Sequence, residues 1–237
     1  MNNPLLELRD LLLLRLAGIS AILGGLLVPT FAAISGSQGV FFVPEIYTND
    51  SVEYWIQNLG ANKNLVKWSM IFFIFGFSGI ILTGFVLFKV LPKSSWQKYV
   101  SVISYAVGGA IVLPMMAFHQ STVNYINSLS AGGGFSAAQI QQLAGVDIYR
   151  WMLINQYFGP LFIIVLGTSF MAWAMLKAKL VPKWFCYIAF AVSGLLLLSF
   201  FNDFIPGLSV LGNAAPIHMI WFIMLGIFLL RFKQTAT

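Results

Sequence analysis

The sequence predicts an all-α fold: a polytopic membrane bundle of six transmembrane helices, with the N- and C-termini cytoplasmic. Three observations predict it. The first is composition: only 8% of the 237 residues are charged and 59% are hydrophobic. A soluble domain carries about 25% charged residues, so this chain has too little charge to cover its own surface in water. The second is a set of six apolar segments, each near the roughly 20 residues that cross a bilayer. The third is that Lys and Arg gather on one side of those segments, as the positive-inside rule requires.

The first span covers 12–34. Arg15 lies near its start, where a long side chain can reach the headgroups. The run is long, and no clean cleavage site follows Ala32 and Ala33, so it reads as a span and not as a signal peptide. The other spans cover 67–90, 99–119, 153–176, 184–202 and 215–231, in a single integral membrane domain over 1–237. Pro29, Pro114 and Pro160 fall within spans. Each frees a carbonyl one turn back, which predicts a kink. Gly76, Gly79 and Gly84 predict a close helix contact.

The connections 35–66 and 120–152 are the long ones. Asp50 with Glu53, and Ser136 with Gln139, have capping-box spacing and predict short helices there; Gly132–Gly134 reads as a flexible joint. A faint repeat also runs through the chain. Lys89–Lys93 and Lys179–Lys183 share a Lys-x-x-Pro-Lys pattern, and Tyr105–Gly109 resembles Phe190–Gly194, so two hairpins repeat in parallel orientation.

With six spans, both termini share a side. That side holds Arg9, Arg15, Lys89, Lys93, Lys98, Lys177, Lys179, Lys183, Arg231 and Lys233. Only Lys63, Lys67 and Arg150 face the other way, with five of the seven acids: Glu45, Asp50, Glu53, Asp147 and Asp203. The basic side is therefore cytoplasmic. Trp96 and Trp184 mark inner span ends, and Trp68 and Trp151 outer ones. The formal charge of +6 is spread over span ends and does not suggest nucleic acid.

Residues for chemistry are few. Cys186 is the single cysteine, which excludes an internal disulfide and multi-cysteine metal sites; in its apolar run it reads as a small core residue. No HExxH, GxSxG, Walker or dinucleotide signature occurs, so the expectation is a non-enzymatic protein, and no cofactor is assigned. Two histidines cannot build a three-His zinc site. His119, His218, Asp203 and Asn202 nonetheless form the candidate ligand-binding group, all at outer span ends and at similar depth. The pair His119 and His218 suits axial haem ligation, or a metal or proton site with Asp203. The plainer reading is two interfacial histidines bonded to loop backbone. A loop around Asn124 and Tyr125 would close the group.

Arg15-Leu-Ala-Gly18, the stretch from Gly159 to Gly167, Leu180-Val-Pro182-Lys-Trp184 and Gly194 give the chain a family likeness. It resembles the bacterial domain-of-unknown-function family 4386, six-span proteins of about this length. The resemblance implies a bacterial inner-membrane, multi-pass protein; it brings no activity, cofactor or catalytic residue. The leading functional expectation is an accessory factor that binds a lipid or a small hydrophobic ligand. A small secondary transporter comes second, from the interrupted spans and the repeated hairpin. A haem or metal-binding redox subunit comes third. The expected partners are membrane lipids, and a membrane-protein partner or a second copy of the chain.

Overall fold

Helix α1 (Leu8–Ser37) turns its small residues inward and a row of leucines outward. Ala17, Gly18, Ala21, Gly24 and Gly25 are buried, while Leu12, Leu16, Ile19, Leu23 and Leu26 are exposed. A protein folded by water would do the reverse. In lipid, leucine gains nothing by leaving the surface, and small residues let backbones approach. This computed structural model describes residues 8–37, 63–132, 138–139, 142, 158–201, 204–205 and 207–232.

The fold is all-α. Among the described residues the regular structure is helical throughout, with six principal helices. After α1 come α2 (Lys63–Val90) and α3 (Gln97–Gly132). A π-helical segment, Pro160–Thr168, runs directly into α4 (Ser169–Ala178). Then follow α5 (Lys183–Ser199), a 3₁₀ turn (Leu208–Ala214) and α6 (Ala215–Leu230). Arg9–Ile34, Lys67–Val90 and Leu161–Ala178 are long and apolar enough to cross a membrane; Lys183–Ser199 and Pro216–Leu230 are shorter apolar helices. The chain is thus a membrane protein.

Each helix packs on the next in chain order, and α6 returns to α1. The six helices therefore close into a ring. Glycines set the tightest contacts. A methyl on Gly79 would lie 2.7 Å from the Ser20 carbonyl, and one on Gly24 2.9 Å from the Gly76 carbonyl. On the other flank of α1, a methyl on Gly25 would lie 2.7 Å from the Met219 carbonyl and one on Gly18 2.9 Å from that of Gly226. In both pairs the residue numbers rise on one helix as they fall on the other, so α1 is antiparallel to both neighbours. The expected contact through Gly76 and Gly79 is present; Gly84 instead receives Tyr105 of α3.

Two boundaries differ from expectation. Helix α3 does not stop near 119 but runs to Gly132, because no Gly or Pro interrupts 115–131. Asn124 and Tyr125 are consequently helical rather than a closing loop. Pro29 and Pro114 lie inside continuous helices, whereas at Pro160 the winding itself changes. Trp68, Trp96 and Trp184 are exposed at helix ends, as expected; Trp151, Asp50, Glu53 and Ser136 lie outside the described residues.

The turn between α2 and α3 is held by buried polar groups. Lys98, 4% exposed, donates from Nζ to Leu91 O (2.8 Å) and Phe88 O (3.2 Å), satisfying carbonyls at the end of α2. Burial, then Lys93 and Lys89, lower its pKa from the usual 10.5. Gln97 is fully buried. Oriented to suit its neighbours, its amide donates to Ser95 Oγ (3.0 Å) and accepts from Lys177 Nζ (2.7 Å) and Trp96 Nε1 (3.2 Å). Helix α4 ends in a Schellman motif. Leu180 N–H bonds Met175 O and Lys179 N–H bonds Leu176 O, with Lys179 left-handed at φ 53°.

Candidate functional site at the bundle axis

The π-helical segment is the local departure from which the site grows. Pro160 opens it without an N–H to donate. π-Winding accounts for well under 1% of residues and gathers at functional positions. Three of its carbonyls receive side-chain hydroxyls. Ser101 of α3 donates to Gly167 O (2.7 Å), Ser193 of α5 to Ile164 O (3.3 Å), and Thr168 to Ile163 O (3.1 Å).

Thr168 is the hub. Its Oγ1 also lies 2.9 Å from Tyr105 Oη and 3.0 Å from His218 Nε2, and all three residues are buried. A hydroxyl has one proton. With that proton on Ile163 O, Thr168 accepts from both partners. In that arrangement Tyr105 O–H and His218 Nε2–H are the donors, and a neutral His218 is the Nε2–H tautomer. Its Nδ1 is then an acceptor, with no hydrogen-bond partner among the described residues.

Two glycines make the slot for Tyr105. A methyl on Gly84 would overlap the ring, and one on Gly167 would lie 3.2 Å from its Cε1. Aromatic rings wall the histidine. Its ring lies near-parallel to Trp221 (5.7 Å, 21°) and edge-on to Phe222 (5.1 Å, 75°). Trp221 is fixed in turn by stacking on Phe185 (4.8 Å, 8°) and by donating Nε1–H to Phe185 O (2.9 Å).

The cluster thus joins α2, α3, the π segment and α6 across the ring. At 1.5 Å per residue, Thr168 lies roughly 15 Å from the end of α4 and His218 roughly 18 Å from the end of α6. Those depths are about half of a 30 Å hydrocarbon core. Among the described residues, the chemistry this cluster offers is hydrogen bonding in an apolar shell.

Of the predicted residues, His218 is at the centre, bonded to a side-chain hydroxyl and not to loop backbone. His119 belongs to α3, roughly 21 Å further along its axis than Tyr105 at the same rise. The two histidines therefore sit at different levels, because His218 meets Thr168 beside Tyr105 while His119 lies well beyond Tyr105 on α3. Asn202 and Asp203 lie outside the described residues. Tyr105 and Thr168 were not among the expected site residues. Cys186 is buried in the core, as expected. Among the described residues no group of three His, Cys, Asp or Glu gathers as a metal cluster would.

The sequence profile of one family, described as a domain of unknown function (DUF4386), matches residues 22–232. The chain belongs to that family. No curated protein and no solved structure matches it.

Proposed function

We propose that this member of the domain-of-unknown-function family 4386 is a six-span, multi-pass inner-membrane protein with both termini cytoplasmic, which binds a small hydrophobic molecule without chemically altering it. The reading of the membrane part rests on the one-sided basic residues and on leucines turned outward. The reading of the ligand rests on one observation: His218 Nδ1, fully buried and aromatic-walled, lacks a donor among the described residues. Leaving a buried acceptor unsatisfied costs about 1–3 kcal/mol. An apolar molecule with a single hydroxyl or amide donor relieves that cost and suits the surrounding rings.

Native mass spectrometry of the gently extracted protein tests this. The wild type should retain an apolar species bearing a hydrogen-bond donor. His218→Phe, which keeps a ring in the aromatic stack, should release it. A wild-type protein that never retains such a species would overturn the reading. A second reading, a small secondary transporter, draws on the π-helical segment beside the cluster, since transporters place their sites at interrupted helices. Flux of the retained species into proteoliposomes would favour it over simple binding.

A further inference from the structure

Lys98 is a buried cation with no carboxylate beside it among the described residues. Its two acceptors, Leu91 O and Phe88 O, are neutral carbonyls. Its ammonium also lies 4.7 Å from the Phe88 ring centre and 5.5 Å from that of Tyr99, both neutral faces. The charges that act on it are those of Lys93 and Lys89, both repulsive. Among the described residues the one acid is Asp10, on α1, and it is bonded to Arg9 at 3.3 Å. Buried charges are otherwise paired. Three ammonium groups therefore converge at the end of α2 with no anion among the described residues to offset them.

The surface beside them fits a lipid. Lys89 and Lys93 are exposed, as are Trp96 and Tyr99, the amphipathic rings of a membrane interface. From that level the outer faces of α2 and α3 continue as apolar surface, with Phe85 and Ile103 exposed. Lys177, by contrast, is engaged by Gln97 (2.7 Å).

We propose that Lys89, Lys93 and Lys98 form a headgroup site for an anionic phospholipid, its phosphate against the two exposed ammonium groups and its acyl chains along Phe85 and Ile103. Lys98 stands behind the phosphate as fixed positive charge. The apolar surface that continues from the lysines favours a lipid over a free phosphate ion. The inference is independent of the ligand at His218, because it concerns the end of the bundle and not its middle.

The test is lipid exchange into the full-length protein, followed by native mass spectrometry with phosphatidylglycerol and phosphatidylcholine in competition. The wild type should prefer phosphatidylglycerol. Lys89→Gln with Lys93→Gln should remove the preference by about fivefold for each lysine, the usual effect of one basic residue at an anionic surface. Lys179→Gln with Lys183→Gln removes the same charge elsewhere on the basic end and should change it far less. Equal losses from the two pairs would mean diffuse attraction and would overturn the site. So would displacement of phosphatidylglycerol by inorganic phosphate at equal concentration, which would make the ligand a free ion. A wild type without preference would also end the proposal.

Discussion

At Thr168 a single proton decides the arrangement of three side chains. Thr168→Val keeps the shape but removes the acceptor of Tyr105 and His218 and the donor to Ile163 O. Unfolding in mixed detergent should show a loss of about 1–3 kcal/mol, and Thr168→Ser should recover most of it. Lys179 offers the opposite sign. It occupies a left-handed position that glycine fills without cost, and the strain for an L-residue is about 1–2 kcal/mol. Lys179→Gly should therefore raise the unfolding midpoint. Lys98 gives a pH dependence. The folded state holds its pKa below 10.5 through burial, Lys93 and Lys89. In the window below 10.5 the unfolded chain binds more protons, so stability should rise with pH there. Lys98→Met should flatten that slope. One of the three residues of the central cluster was legible in the sequence. His218 stood out because an ionisable residue in a span is conspicuous. Thr168 and Tyr105 did not, because neutral polar residues are common in spans and only their meeting across the ring makes them a site.

The helices themselves were legible because a membrane imposes length and apolarity, which Arg9–Ile34, Lys67–Val90 and Leu161–Ala178 meet in full. Their ends were not. Past His119 the sequence turns polar, which resembles a loop, yet nothing between Pro114 and Gly132 breaks helical winding. Polarity marks where lipid ends and not where a helix ends. The reverse happened at Pro160, where a proline expected to kink a helix instead opens π-winding, with its carbonyls served by Ser101, Ser193 and Thr168. Glycine contacts allow a paired test at this scale. In Gly226→Ala the new methyl would overlap the Gly18 carbonyl and lie 2.5 Å from Ile22 Cγ1. That forces α1 and α6 apart and should lower the unfolding midpoint. Gly194→Ala, on α5, meets nothing within 4 Å. It should be neutral or gain up to about 0.5–1 kcal/mol from helix propensity. If both substitutions behave alike, the tight α1–α6 contact is not what holds the ring closed.

The ring as a whole has an even number of antiparallel helices, so α1 begins and α6 finishes at the same end of the bundle. Which end faces the cytoplasm is decided by charge alone, since packing is indifferent to orientation. Among the described residues, nine of eleven Lys and Arg residues lie at the end where α1 begins and α6 finishes. Moving those nine across a membrane, against two for the opposite orientation, is what the positive-inside rule disfavours. The single native cysteine makes the question accessible. Cys186 is buried, and Cys186→Ala clears the background. Ser94→Cys, in the exposed turn between α2 and α3, should then react with an impermeant thiol reagent only in inverted vesicles. Ser128→Cys, exposed on the part of α3 beyond His119, should react only in intact cells. If both label from the same side, α3 does not cross the membrane, and the six-span reading fails with it. If each labels from the opposite side to that expected, the bundle survives, but the basic end is outside, and the anionic-lipid site would face the wrong leaflet.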